Sequence, residues 1–555
     1  MQPRQKAWVV LLPGVGNYIF NSPLGRLSGR GVLPVPRRKK NQLIRPKSVR
    51  QAHSAKVADG QFSGIFEQDW CNMQAVLTDM IDMKTNLIRT ADDRKIGLFM
   101  YPDMVNTRIL SDDVIKPLQA MRGPLGAEAV SQAVISASET TTVSEITSAA
   151  ESMSDGAVVL VLEGQTEALL VHILQVEHRP IERAQSEDVI IGPHESFSES
   201  IAKNVAILRR LLATPRLKVK AIELGRLSRS KAVIVYVEGI AQQKLIAEVE
   251  ERLGRIDADY IGGAAYLTDF LEDNPRSIFP LLRATERPQR VISALTEGRV
   301  VLLATGDPTA LIIPTFFPEY VQSSEDYYER PAIGTFLRCL RIASAFLAMF
   351  LPGLWIALVV FHHGVIPRAL FNSIVAGREN VPLPSILEAF LLLFAFDIVI
   401  EASTRLPSAV GQAIGIVGAI ILGQSAVQAN LVSPAMTIVV ALAGLATYTV
   451  PSPSLLSPLR LLKYLILGIS SLFGLFGIVW AVIVLALHLT SIRSFGYPYL
   501  YPVAPFDPSG MLDIVARLPL YRLQHRPTFL AAENTRRMAD GLRPTPRKES
   551  DDDAE

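Results

Sequence analysis

Arg405-Leu-Pro-Ser-Ala-Val-Gly-Gln-Ala-Ile-Gly-Ile-Val-Gly-Ala-Ile-Ile-Leu-Gly-Gln-Ser-Ala-Val-Gln-Ala429 is the stretch from which the fold is read. It opens a longer run, since no charged side chain occurs from Ala409 to Leu459. About 20 consecutive apolar residues cross a bilayer, so a run of this length predicts membrane-spanning helices. Its composition is not that of a simple lipid anchor. Gly411, Gly415, Gly418 and Gly423 recur among alanines, and small residues at such spacings let helix backbones approach closely. Gln412 and Gln424 stand near opposite ends, and a segment of this kind is tolerated as a re-entrant loop where protein buries it.

Further spans are predicted on both sides of it. Residues 342–361 and 384–402 precede the segment 409–427, and residues 432–450 and 464–489 follow it. The expectation is four spans with one re-entrant segment, or five full spans. Between Ile342 and Ile492 there are only nine Asp, Glu, Lys or Arg residues, where a soluble chain carries about 25%. Arg330, Arg338 and Arg341 precede the first span and predict a cytoplasmic N-terminal domain by the positive-inside rule. Five spans would carry the C-terminal tail outside, and four would leave it inside.

The 384–402 span holds the candidate functional residues Glu388, Asp397 and Glu401, with Arg405 just beyond. A charge at the bilayer centre costs at least about 2.5–3.5 kcal/mol, so such residues face protein or water. At helical spacing Asp397, Glu401 and Arg405 share a face, whereas Glu388 lies nearly opposite Asp397. Glu388 follows Pro384 by one turn and is placed to support its own helix N-terminus. Two readings of Glu401 and Arg405 stand: a structural ion pair at the membrane edge, or an acidic lining for cations assembled from several copies of the chain.

The N-terminal part reads as a soluble α/β region. Residues 1–65 form a basic tail predicted to be disordered, with twelve Lys or Arg before the first acid, Asp59. Its Pro36-Arg-Arg-Lys-Lys40 run lacks interleaved aromatics, so no nucleic-acid partner is expected. Attraction to anionic lipid is the stronger alternative to a solvated tail. Residues 66–155 are expected to be a first subdomain with a connector, and 156–335 a second α/β subdomain. The membrane domain then covers 336–492 and a tail 493–555. Strands are predicted at 95–101, 157–163, 217–224, 232–237, 300–304 and 310–313. Helices are predicted at 111–118, from Ser196 with Glu199 as its capping-box partner, and at 240–253.

No phosphate loop, dinucleotide fingerprint, zinc spacing or nucleophile elbow is present. The reading is therefore of a protein that is not an enzyme and has no cofactor or metal. Two distant cysteines, Cys71 and Cys339, do not make a disulfide framework. The net charge of +2 discriminates little.

A family resemblance rests on short motifs in one order. They include Arg179-Pro-Ile-Glu182, Gly192-Pro-His-Glu195, Val235-Tyr-Val-Glu-Gly239, Thr285-Glu-Arg-Pro288, Gly306-Asp-Pro308 and Glu325-Asp-Tyr-Tyr328. In the apolar half they continue through Arg405-Leu-Pro407, Val410-Gly-Gln-Ala413, Ser433-Pro-Ala435 and Arg493-Ser-Phe-Gly496 with Pro498-Tyr499. Together these resemble the A subunits of GerA-type spore germination receptors. The resemblance implies a protein of the inner spore membrane with its N-terminal domain on the core side. It implies a transporter-like B-type subunit and a C-type lipoprotein as partners in nutrient sensing. It also implies a homo-oligomeric ion-channel component, with a non-conducting scaffold or accessory paralogue as the alternative. Asp397 stands where the family often has glutamate.

Overall fold

A computed structural model describes residues 60–123, 125–134, 139–173, 187, 191–404, 418, 421–511, 513–527, 530, 534–539 and 542–544. Of the tail expected to be disordered at 1–65, residues 1–59 lie outside the described residues, as does the 405–417 segment, whereas 60–65 are ordered: Gln61 bridges Glu145 and Phe62 is buried in the core of the first sheet. All described residues belong to the unit Ser54–Glu555.

Two five-stranded antiparallel sheets make up the N-terminal half. The first contains β1 (Lys84–Arg89), β2 (Lys95–Met100), β3 (Thr140–Val143), β4 (Ala157–Leu162) and β5 (Ala168–His172), in the order β1-β2-β4-β5-β3. The second contains β6 (Leu217–Leu224), β7 (Ser230–Val237), β8 (Arg283–Thr285), β9 (Val300–Ala304) and β10 (Ala310–Ile313), in the order β6-β7-β9-β10-β8. The two orders are the same permutation. The helices repeat as well: Phe66–Val76 precedes β1 as Ile201–Leu211 precedes β6, and Ile146–Met153 lies between β3 and β4 as Pro288–Glu297 lies between β8 and β9. The two-sheet region is thus an internal structural duplication.

Central strands are apolar because both their faces are covered. In β4, Val159 and Val161 enter one core and Val158 and Leu160 the other. In β9, Val300 and Leu302 face one cluster while Val301 and Leu303 face the opposite one. The expected boundary at 155/156 would cut the first sheet, since β4 and β5 complete it with β1–β3. The joint between the repeats lies later. There Met80 pairs with Val219 at the edge of β6, and Arg209 donates two hydrogen bonds to Asp82.

The expected strands are present with boundaries shifted by at most two residues. Local signals misplace several helices. The helical stretch at 107–120 begins earlier than expected, because Asn106 rather than Ser111 accepts the first-turn N–H groups of Arg108 and Ile109. The helix expected from Ser196 starts at Ile201. The Ser196–Glu199 spacing lies ahead of the helix, whose N-cap position is Ser200.

The C-terminal half is helical. Two helical segments are long and apolar enough to cross a membrane, Pro331–Phe361 and Pro453–Ser491. Ser385–Thr404 has 20 residues but carries three acids, and Pro434–Thr447 is a shorter apolar helix. The segment predicted as a single span at 464–489 is different in kind. Its helix begins at Pro453 and breaks at Gly474, which sits at φ 60° and ψ −142°. A Cβ on Gly477 would lie 2.8 Å from the carbonyl oxygen of Ile469, whereas eight residues of continuous helix rise about 12 Å. The chain therefore reverses, with 453–473 as one arm and 475–491 as the other. Leu489 and Ile492 accordingly return to the same cluster as Leu455 and Leu459.

The residues after the hairpin stay bonded to the two-sheet region. The Tyr499 hydroxyl donates to the carbonyl of Pro280, Ser494 donates to that of Leu281, and Arg526 donates to that of Thr296. The tail lies on the same side of the apolar helices as the two sheets.

Candidate functional site

Helix Ser385–Thr404 carries the three acids, and its packing separates them. Leu387, Leu391, Phe394 and Ile398 are exposed, and Glu401 continues the same stripe. These steps of four, three, four and three residues trace a seam of period 3.5. The opposite face, including Glu388, Ala389, Leu392 and Leu393, is buried with Ile356, Met436, Val440 and Leu467.

Glu388 is fully buried. Its Oε1 accepts the backbone N–H and the hydroxyl of Ser433, both at 2.5 Å. Ser433 is the N-cap of Pro434–Thr447 and accepts the Met436 N–H. The carboxylate therefore supports the N-terminus of a neighbouring helix, not that of its own. The Arg378 guanidinium lies 3.6 Å from its second oxygen.

Asp397 is matched inside the apolar layer. Lys463, itself buried, places Nζ 3.1 and 3.0 Å from its two oxygens, and Tyr464 donates its hydroxyl at 2.5 Å. Glu401 is exposed on the seam four residues on. Asp397 is half-buried and Glu401 exposed, despite their shared helical spacing. Arg405 lies outside the described residues, and with it the Glu401–Arg405 pairing.

Of the four glycines expected to pack helices, Gly411 and Gly415 lie outside the described residues. A Cβ on Gly418 would make an ordinary contact with Val399 at 3.7 Å, and one on Gly423 with Thr437 at 3.6 Å. The tighter approaches are elsewhere. A Cβ on Gly444 would run into the Phe396 ring, and one on Gly353 would meet Ile466 and Ser470 at 3.0 Å.

A second cluster joins the two-sheet region and the C-terminal helices. Asp326, fully buried, accepts Arg338 Nε at 2.8 Å and Arg341 Nη1 at 2.7 Å. Arg338 also donates to Asp513 from the tail, and Tyr327 donates to the same residue at 2.7 Å. Burial, followed by the Asp513 charge, holds the Tyr327 phenol well above its ordinary pKa, so it stays a donor. Arg517 closes the ring, donating its backbone N–H to Thr335 and its guanidinium to the carbonyl of Tyr327.

The chain leaving the hairpin is keyed into the second sheet. Phe495, at φ 50°, enters the core with Leu245 and Leu302 while Arg252 stacks 4.1 Å from its ring centroid. The scattered motifs converge too. Arg287 donates to the carbonyls of Glu187 and Pro193. Gly192, at φ 118°, packs against the Tyr328 ring, which a Cβ there would meet at 3.0 Å.

Sequence reasoning missed the roles of Lys463, Ser433 and Arg378 and the arginine pairings of Asp326 and Asp513. The visible signal was a lysine inside an otherwise apolar helix, which needs a partner as much as Asp397 does. Among the described residues no His, Cys, Asp or Glu group is arranged to hold a metal ion.

A family model described as Bacillus/Clostridium GerA spore germination protein matches residues 71–529. Spore germination protein KA of Bacillus subtilis is 37% identical over 391 residues, covering 70% of this chain and 72% of that protein. Spore germination protein A1 of the same organism is 38% identical over 370 residues, covering 67% and 77%. Among solved structures, the N-terminal domain of the A subunit of the Bacillus megaterium spore germinant receptor GerK3 is similar at 21% identity. It has a TM-score of 0.37 and covers 46% of this chain and 98% of that one. The chain belongs to the GerA spore germination protein family.

Proposed function

We propose that this GerA-family chain is a germinant-receptor subunit of the inner spore membrane and acts in nutrient-triggered germination as one copy in an oligomeric ion channel. A transporter-like B-type subunit and a C-type lipoprotein are its partners in this reading. The carrying observation is the seam of helix Ser385–Thr404, in which exposed Leu387, Leu391, Phe394 and Ile398 lead to exposed Glu401. A carboxylate facing lipid costs at least about 2.5–3.5 kcal/mol. Further copies covering the apolar seam would bring the Glu401 side chains into a shared aqueous ring, which selects cations.

The topology is part of the same reading. Residues 331–361 leave the N-terminal side, and the hairpin arms 453–473 and 475–491 go out and back. The tail's hydrogen bonds to Pro280 and Leu281 support an even number of crossings. The N-terminal domain then faces the spore core.

A second reading, a non-conducting scaffold or accessory paralogue, is favoured by one observation: Glu388 and Asp397 are committed to Ser433 and Lys463. One experiment separates the two. Purified full-length protein is reconstituted in liposomes and potassium efflux is followed for wild type and Glu401→Gln, alongside ion release from spores carrying the same change. Efflux that falls with Glu401→Gln supports the channel. A protein that stays monomeric in mild detergent and passes no cations sinks it.

A further inference from the structure

Beyond the hairpin, the chain from Tyr499 to Val515 contains only the short helical turn Pro508–Met511, yet its backbone is largely satisfied from within. Val503 and Ala504 donate their N–H groups to the carbonyl of Leu500, Asp507 to that of Pro502, and Ile514 and Val515 to that of Met511. Pro502, Pro505 and Pro508 have no N–H to satisfy. Both acids of the segment are engaged: Asp507 accepts the Tyr501 hydroxyl at 2.5 Å and Asp513 that of Tyr327 at 2.7 Å. Irregular backbone is tolerated at membrane depth only when its polar groups are met in this way.

The segment is held at a definite height on helical segment Pro331–Phe361. Val503, Met511 and Val515 form part of one wall of an apolar cavity, and Ile342, Phe346 and Met349 of the helix form part of another. Arg341 is the last Asp, Glu, Lys or Arg of that helical segment, and its apolar run starts at Ile342. From Ile342 to Met349 the helix rises about 10 Å, the first third of a hydrocarbon layer about 30 Å thick. Phe346 is a wall residue and also 58% exposed, while Val503 and Val515 in the facing wall are 44% and 41% exposed. The exposed apolar surface of the helix therefore continues onto the segment.

We infer that residues 499–515 form an interfacial strap lying in the head-group boundary of the bilayer, on the side of the two sheets, with Val503 and Val515 against acyl chains beside Phe346. The inference rests on the reading that Pro331–Phe361 crosses a bilayer. Water on this face would leave apolar surface open from Phe346 across to Val515, whereas acyl chains cover both together. Phe506, 71% exposed, takes no part in the cavity wall and is assigned to the hydrated head-group layer, within reach of aqueous reagents. The strap also fixes the two-sheet region to the membrane surface. Its Tyr499 hydroxyl donates to the carbonyl of Pro280, and its Asp513 accepts from Arg338 and Tyr327.

The test uses full-length protein in phosphatidylcholine nanodiscs, with Cys71 and Cys339 replaced by serine. An environment-sensitive NBD fluorophore is attached to single cysteines, and its quenching by phosphatidylcholine carrying a nitroxide high on the acyl chain is measured. Val503→Cys and Val515→Cys are expected to lose fluorescence as strongly as Leu487→Cys, an exposed position near the end of the returning hairpin arm. Leu227→Cys, 81% exposed between β6 and β7, should keep its fluorescence. The two valines lie twelve positions apart, so one remains readable if the other variant does not fold. Emission typical of water at both valines overturns the proposal. A blue-shifted but unquenched probe also overturns it, because a second copy or another protein would then cover the face. Quenching at Leu487→Cys without quenching at either valine removes the strap alone. An unquenched Leu487→Cys removes the bilayer-crossing reading and the strap with it.

Discussion

Lys463 grips both carboxylate oxygens of Asp397, at 3.1 and 3.0 Å, and so ties the rising arm of the hairpin to helix Ser385–Thr404. Neither residue would be stable alone at this depth. Lys463 is 3% exposed, and an unmatched charge in an apolar layer costs at least about 2.5–3.5 kcal/mol. Asp397→Asn is therefore expected to lower stability by roughly that amount by stranding the ammonium. The double variant Asp397→Asn with Lys463→Met should recover most of the loss, because both charges leave together. Thermal unfolding of the purified proteins in nanodiscs checks it. A double variant no better than the worse single would show that the pair is not coupled.

The glycines make a sharper contrast than their spacing suggests. Gly444→Ala drives a methyl group into the Phe396 ring between two helices, and overpacking of this kind costs about 1–3 kcal/mol. Gly418→Ala and Gly423→Ala add ordinary contacts instead and should be close to neutral. Yield and melting temperature of the three variants, purified side by side, decide the point.

Phe495 carries the connection between hairpin and sheet. Removing its ring by Phe495→Ala is expected to cost about 3–5 kcal/mol, since it fills a core with Leu245 and Leu302 and supports Arg252. Local loosening should appear as faster amide exchange at residues 493–499, which hydrogen–deuterium exchange reads directly. Unchanged protection there would mean that the tail is held by other contacts.

Tyr101 supplies a pH signature for the joint between the repeats. Burial, the larger cause, raises its pKa to about 12 from an ordinary value of 10.0, with Arg209 opposing and Asp82 adding to the shift. The sign follows from the two states. The unfolded phenol ionises near pH 10 while the folded one keeps its proton to about 12, so its contribution is complete below pH 10 and is lost as pH rises through that window. Two units correspond to about 2.7 kcal/mol. Tyr101→Phe gives up the contact with the Met80 sulfur at 3.2 Å, yet it should lose less stability than wild type between pH 10 and 12. Denaturant titrations at the two pH values test it.

How far these features were legible in the sequence depended on whether the cause was local. Strands such as β4 and β9 announce themselves, because unbroken apolar runs bounded by glycine need no distant information. The short edge strand β8 does not, since Arg283-Ala-Thr285 becomes a strand only by pairing with β10. The duplication was hidden because it lies in strand order rather than in residue repeats. At the site the acids were readable and their partners were not. Asp397 finds Lys463 66 positions away and Glu388 finds Ser433 45 positions away, distances that no periodicity encodes. The reversal at Gly474 escaped for a different reason: one glycine in a long apolar helix costs only about 1 kcal/mol, so composition permits a continuous helix as readily as a hairpin.

That reversal yields the most direct test of the topology. Two arms of 21 and 17 residues, counted from the helix bounds and the break, are about 31 and 26 Å long at 1.5 Å per residue. Each is near the roughly 30 Å of a bilayer core. Gly474 itself abuts Phe361 and His362 at the end of the helical segment Pro331–Phe361, so both turns belong on the face away from the sheets. After Cys71 and Cys339, both exposed, are replaced by serine, single cysteines are introduced at Val365, Leu472 and Phe506. All three positions are exposed. In sealed vesicles of known orientation an impermeant maleimide should label Val365→Cys and Leu472→Cys from one side and Phe506→Cys only from the other. Labelling of Phe506→Cys together with Val365→Cys would overturn the even crossing number. It would also leave the Tyr499–Pro280 and Ser494–Leu281 hydrogen bonds without a membrane arrangement that permits them.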